Sequence, residues 1–408
     1  MMLAFKALLV WLPLVSICSA EKMDKELRMP GVQPQVNDTY LCYAMKIDQL
    51  LYITGFGPHA DMNTAHHMLL YGCKEPGDEQ KPWNCGEMAA TGKKSDFGRG
   101  PVCKSGSQII YAWAMDAPPL QLPKDVAFKV GGDTSVKYMV VQVHYKDVRN
   151  FIPPKNQKDT SGITLHTTTT PASKTAGVYL SVTGGELPPR SIVYMEAACD
   201  YDEPIVLHPF AYRTHAHTHG AVVSGYRVRD GEWTEIGRHS PQLPQMFYNT
   251  TNPGMDVKKG DILAARCTMV NKDKKSVYIG STQHDEMCNF YTMFYVNGAK
   301  LPEQLQCWTP GPPFWNWNQV DGLDRGAVPE SANIVPGTTE VLKETPNAIL
   351  AQQEAQGRGV RDYLDSYNIP EDNEESLIDD ENLDQYLTDK ERLLELEEYL
   401  RSEDDDYY

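Results

Sequence analysis

Residues 137–145 read KYMVVQVHY. β-Branched and aromatic side chains dominate the stretch, and neither Gly nor Pro interrupts it, so it is a strand by propensity. Outward from it, similar short runs recur: GVYLSV at 177–182, SIVYME at 191–196, AVVSGYRVRDGEW at 221–233, DILAARCTMV at 261–270 and MFYV at 293–296. Within the third of these, Asp230-Gly231 stands between apolar runs, the short-hairpin signature. Short strands with turn residues between them, and no helices alternating with them, predict an all-β chain of sandwiches or barrels. The stretch HTTTTPASKTAG at 166–177 breaks the pattern. A domain boundary is expected there, giving an N-terminal domain over 21–170 and a second over 171–329.

Both ends differ from this body. Residues 1–20, MMLAFKALLVWLPLVSICSA, carry one Lys, an apolar run and small residues before a charged segment, which reads as a secretory signal peptide. No later run reaches the ~20 apolar residues of a membrane helix, so no membrane anchor is expected. Of 55 acids and 38 bases in the chain, residues 330–408 hold 23 and 6, which leaves 32 of each elsewhere. A neutral body without a basic patch argues against nucleic acid as a partner. The segment 330–408 is expected to be an acidic tail, disordered or partly helical, too poor in apolar residues to fold alone. Before it, CWTPGPPFWNWNQ at 307–319 looks like a closing segment packed on the second domain.

Cys18 falls in the signal segment. The remaining eight cysteines are Cys42, Cys73, Cys85, Cys103, Cys199, Cys267, Cys288 and Cys307. An even number behind a signal peptide reads as disulfides formed in an oxidising compartment. Spacing alone leaves about 105 pairings open, but the two groups of four suggest two bridges per domain. Asn37 and Asn249 lie in N-glycosylation acceptor motifs.

Chemistry concentrates in histidine. In RTHAHTHG at 213–220, His215 and His217 would share a strand face and chelate one ion, while Gly220 suggests that the strand stops short of including His219. In NTAHHMLLYGC at 63–73, adjacent His66 and His67 can reach one metal only at a bulge or strand end. His144 lies within the opening strand. A fourth element, HDEMCNFY at 284–291, supplies Met287, whose thioether is a soft ligand that favours Cu(I). Two histidine clusters and a thioether in a secreted chain point to copper and redox work with dioxygen.

HHMLLYGC, QVHY, FAYRTHAHTHG, VVSGYRVRDGEW, DILAARC and DEMCNFY, in this order, resemble the peptidylglycine-hydroxylating branch of the copper type II, ascorbate-dependent monooxygenases over about 28–310. The resemblance implies two jelly-roll-like β-sandwich domains, each with one copper, facing each other across a cleft. His66, His67 and His144 would hold the electron-donor copper. His215, His217 and Met287 would hold the copper at which oxygen reacts, leaving His219 outside. Arg213 would bind the peptide carboxylate, helped by Asn289 and Tyr291, with Tyr40 and Gln142 supporting the first copper site. The implied disulfides are Cys42–Cys85, Cys73–Cys103, Cys199–Cys307 and Cys267–Cys288.

The implied activity is hydroxylation of the Cα of a C-terminal glycine, the first step of peptide α-amidation, with two copper ions, ascorbate as reductant and O2 as co-substrate. The segment after Cys307 is too acidic and apolar-poor for a lyase domain, so a monofunctional hydroxylase is expected. Its partners would be glycine-extended peptides and a separate peptidyl-hydroxyglycine lyase, in the secretory granule lumen or outside the cell. A dopamine β-monooxygenase-like amine hydroxylase and a non-catalytic secreted copper-binding protein are the rival readings.

Overall fold

The structure is a computed structural model describing residues 22–86, 97–114, 116–280, 285–298 and 300–355. The expected signal peptide, and the part of the expected tail from 356 onward, lie outside the described residues.

The opening stretch forms the strand Tyr138–Tyr145, buried at every position. It is the middle of a five-stranded antiparallel sheet, between Thr39–Lys46 on one side and His67–Cys73 on the other, with Trp83–Asn84 and Gln108–Ala114 at the edges. A second layer faces it: Lys22–Arg28, Gly162–Thr168, Leu51–His59 and Val126–Val130. Their inner faces meet in an apolar core around Phe56, Trp113, Phe128, Val141 and Tyr145.

The second half repeats the arrangement. Ser191–Tyr201, Asp261–Asn271, Gly220–Arg229 and Glu232–His239 form a four-stranded sheet. Its partner layer contains Lys174–Thr183, Asn289–Asn297 and His208–His215. The expected hairpin joins Gly220–Arg229 to Glu232–His239, with Arg229 opposite Glu232. Asp230 and Gly231 take φ of 52° and 80°, as a two-residue turn with both central residues left-handed requires.

The halves are closer than two separate sandwiches facing a cleft. Val126 and Ala127 pair in parallel with Lys174 and Thr175, so the two partner layers join into one ten-stranded sheet. Leu180, Val182, Ala211, Phe247 and Met293 of the second half belong to the same buried cluster as the first half's core.

All four implied disulfides are present: Cys42–Cys85, Cys73–Cys103, Cys199–Cys307 and Cys267–Cys288. The closing segment also packs as expected. Trp317 is fully buried, and its Nε1 donates to the Ala197 carbonyl.

One boundary needs correction: packing does not stop at 329. Ala332, Leu342, Ala348 and Gln352 are buried, and 346–355 are helical. Buried Glu196 holds Arg266 and Arg325, and Arg325 in turn grips Glu344 at 2.8 Å. Tyr194 Oη donates to the Leu342 carbonyl. The acid-rich average over 330–408 hid this because its early part carries few charges, and one of them, Glu344, answers the half-buried Arg325.

Candidate functional site

Register brings the first histidine cluster together. His144 is directly opposite His67 on one neighbouring strand and Tyr40 on the other. His66 immediately precedes the strand His67–Cys73, the strand-end position that lets two adjacent histidines converge. Its N–H donates to the His144 carbonyl at 2.9 Å. One ligand atom from each of His66, His67 and His144 falls within 4.8 Å of the other two.

The free nitrogens match a metal. His144 Nε2 contacts Asp38 Oδ1 at 3.2 Å, which leaves Nδ1 as the unprotonated nitrogen; the Nδ1 atoms of His66 and His144 are buried without a partner. Burial, followed by the charge of His144, lowers His66 to about 4. Burial likewise pushes His67 well below the ordinary value, and His144 below it against the opposing pull of Asp38. Neutral imidazoles with free lone pairs can serve as metal ligands, and these three lie close enough together to share one ion. Tyr40 stacks on His144 at 4.0 Å between ring centres. Gln142 lies one alternation away on the His144 face and donates to the Gly86 carbonyl at 2.8 Å.

The second cluster is built at a strand terminus. Arg213 pairs with Tyr291 and His215 with Asn289 across neighbouring strands, so these four side chains share one face. The strand ends at His215, not beyond His217, and Gly220 starts the next strand instead of closing this one. What ends it is Glu286, fully buried, whose carboxylate accepts from the backbone N–H of His217 (2.9 Å), His219 (2.9 Å) and Met287 (3.2 Å). The rings of His215 and His217 still lie 5.4 Å apart. Both ring nitrogens of His219 are engaged, Nδ1 by Glu286 and Nε2 by Asp273, and the Glu286 contact raises its pKa. His219 therefore faces away from a shared ion.

Gln245 orders this cluster. Its Oε1 accepts from Arg213 Nη2 at 3.1 Å and lies 2.7 Å from His215 Nδ1, while Nε2 donates to the carbonyls of Ala216 and Pro241. The amide orientation is thereby fixed, and His215 must carry its proton on Nδ1, leaving Nε2 free. His217 Nδ1 likewise lies 2.7 Å from the Asp285 carbonyl. Imidazole nitrogens and a thioether are donors of the softness that copper favours, and His215 and Met287 line one cavity.

Arg213 is the electrostatic anomaly. It is 2% exposed, and burial lowers its pKa. Its polar partners are the Gln245 carbonyl and amide oxygens, and its guanidinium lies 5.1 Å from the Tyr291 ring centre. No carboxylate pairs with it among the described residues. Arg213, His215, Met287, Asn289 and Tyr291 line a cavity whose opposite wall, from the first half, contains His67, Leu69, Tyr71 and Ile109. The His67 and His215 rings are only 6.1 Å apart. The two clusters therefore face each other across this narrow cavity.

Sequence reading missed Gln245 and Glu286. Gln245 is 30 residues from His215 and reads as a loop glutamine, and a lone Glu beside a Met carries no burial signal. The expected acceptor asparagines Asn37 and Asn249 are exposed. Comparison with known proteins finds the N-terminal domain of the copper type II ascorbate-dependent monooxygenases over 25–151 and their C-terminal domain over 174–320. The chain is 43% identical to peptidyl-glycine alpha-amidating monooxygenase B of Xenopus laevis, over 78% of this chain and 34% of that protein. It is 45% identical to peptidylglycine alpha-amidating monooxygenase of Rattus norvegicus, over 69% of this chain and 28% of that one. Similarity to dopamine beta-hydroxylase of Equus caballus is 26%, over 78% and 55% respectively. The chain thus spans about a third of the length of the amidating relatives it matches.

Proposed function

Because the chain belongs to the copper type II ascorbate-dependent monooxygenases, we propose that it hydroxylates the α-carbon of a peptide's C-terminal glycine. The observation that carries this reading is Arg213, a buried guanidinium with no acidic partner among the described residues, in the same cavity as His215 and Met287. An uncompensated buried cation is costly unless a ligand supplies the missing charge, and a peptide carboxylate matches the guanidinium fork. The same cation disfavours the ammonium group of an amine substrate.

His66, His67 and His144 would hold one copper, and His215, His217 and Met287 the other. Bound copper would supply one-electron chemistry toward dioxygen, with ascorbate as reductant. The protein's own part is positional. Arg213 holds the carboxylate, Tyr291 and Asn289 border the same end, and the glycine Cα is presented toward the Met287 side. Leu69, Tyr71, Ile109 and Leu180 line the remaining wall and exclude water, which strengthens the Arg213–carboxylate pair. Gln245 keeps the carboxylate arginine and His215 in one fixed relation. Under this reading a separate lyase consumes the hydroxyglycine product. Four disulfides support residence in the secretory pathway, in granules or outside the cell; no helix among the described residues is long and apolar enough to cross a membrane.

The test is mass spectrometry after incubating copper-loaded protein with ascorbate, oxygen and a short Gly-ended peptide, beside an Ala-ended peptide and tyramine. A gain of one oxygen confined to the Gly-ended peptide is expected. Oxygen on tyramine alone would move the reading to the amine branch. Two bound coppers with no turnover of any substrate would refute it.

A further inference from the structure

His66 and His67 are neighbours in the chain, yet they open into different spaces. His67 faces the cavity shared with Arg213. His66 lines a second, open pocket of about 420 Å³, which shares no lining residue with the first. That volume lies in the range, about 300–1,000 Å³, of pockets that hold small ligands. Since His67 and His144 are almost fully buried, the half-buried His66 is the trio's one edge toward this pocket.

The lining is cationic and rich in hydrogen-bonding groups. Lys146, two residues beyond His144, makes no ion pair among the described residues and brings an ammonium to the rim. Arg149 lies beside it, tied to Asp147, which offsets one of the two positive charges and leaves the other. Asn37, Asn63 and Thr64 add amide and hydroxyl groups. Asn37 Oδ1 accepts from the Val148 N–H at 3.0 Å, which fixes that side chain at the pocket rim. A net positive pocket with this lining suits a small polyhydroxylated anion.

We propose that the anionic enediol reductant docks in this pocket against His66, on a side of the trio separate from the peptide. This rests on the reading that the trio holds copper. The bound enediol monoanion gives up one electron and one proton and becomes the radical anion; the proton leaves to solvent through the open mouth, and the electron passes by way of His66, reducing the metal from cupric to cuprous. Two such events supply the two electrons of a turnover. Because the two pockets have separate linings, peptide and reductant should bind without competition.

The experiment is anaerobic stopped-flow reduction of the full chain loaded with cupric ion, following loss of the Cu(II) resonance in freeze-quenched samples. The probes are ascorbate and the cationic outer-sphere reductant hexaammineruthenium(II). With ascorbate, the rate should saturate, and saturating Gly-ended peptide should leave the half-saturation unchanged. Lys146→Glu should raise the half-saturation about tenfold, in keeping with charge-steered association, and Lys146→Arg should restore it. Hexaammineruthenium(II) should reduce Lys146→Glu as fast as wild type or faster. A rate linear in ascorbate, or identical for wild type and both Lys146→Glu and Arg149→Glu, would overturn the docking site while leaving the copper reading intact. A wild-type chain that takes up fewer than two coppers would overturn the reading beneath it.

Discussion

Replacing Gln245 with Leu removes a single acceptor that serves two functional groups. Oε1 accepts from Arg213 Nη2 at 3.1 Å and contacts His215 Nδ1 at 2.7 Å. Leucine is close in volume and leaves the Gln245 backbone carbonyl, which accepts from Arg213 Nε at 2.9 Å, in place. Loss of a hydrogen bond to a charged group costs about 1.5–3 kcal/mol. At about 1.4 kcal/mol per tenfold, KM for a Gly-ended peptide should rise roughly ten- to a hundredfold. Removing the partner of Nδ1 also frees the His215 ring to rotate, so kcat should fall as well, and copper affinity at that cluster should drop about 10–100-fold while the His66 cluster keeps its metal. The contrast with Gln245→Glu is diagnostic. Glutamate keeps the acceptor for His215 but places a negative charge against Arg213, competing with the substrate carboxylate; KM should rise more than in Gln245→Leu and kcat fall less. Steady-state kinetics at saturating copper, with metal stoichiometry and a thermal melt for each variant, read this out. Wild-type KM and kcat in Gln245→Leu with both coppers bound would refute the coupling.

Arg213→Leu should raise KM for a Gly-ended peptide at least tenfold, since breaking a buried charged contact costs about 2–5 kcal/mol; kinetics with copper content held at two per chain check this. In Glu286→Gln the anion that gathers three backbone N–H groups is lost, so copper competition titration should show weaker binding at the His215 cluster alone, by about 10–100-fold. Glu196→Ala leaves Arg266 and Arg325 without their buried partner, and denaturant unfolding should register a loss of about 3–5 kcal/mol. Truncation after residue 329 should lower the melting temperature, because it removes Leu342, Glu344 and Ala348 from the second sandwich; an unchanged melt would restore the original tail boundary. Replacing Cys267 and Cys288 together by Ala opens a bridge spanning 21 residues, and should cost about 3 kcal/mol in the same measurement.

Strands were legible because their signal is local: KYMVVQVHY, DILAARCTMV and the Asp230-Gly231 turn each contain their own instruction. The histidines were legible as residue types with chelating spacing, and the strand end at His66 was required by geometry alone. What could not be read was long-range. The strand at His215 stops because a carboxylate from residue 286 takes the N–H groups of His217 and His219, and nothing in THAHTHG announces that. Gln245 looks like any loop glutamine until the fold buries it between two donors. The packing of 330–355 was masked by averaging it with a more acidic continuation, and the seam at Val126 and Lys174 rests on parallel pairing across a domain boundary, which no periodicity encodes.

The cysteine bridges of the first sandwich interleave along the chain, 42 with 85 and 73 with 103. During vectorial synthesis Cys42 therefore meets Cys73, a wrong partner, before Cys85 has been made. Geometry offers no early protection, because the strands carrying Cys42 and Cys73 are not sheet neighbours; each pairs with a different side of Tyr138–Tyr145. Until that strand arrives, about forty residues after the last of the four cysteines, their thiols have no fixed positions. Maturation of this half should thus depend on an isomerase that can undo a premature 42–73 link, with the central strand acting as the proofreader that decides which pairing survives.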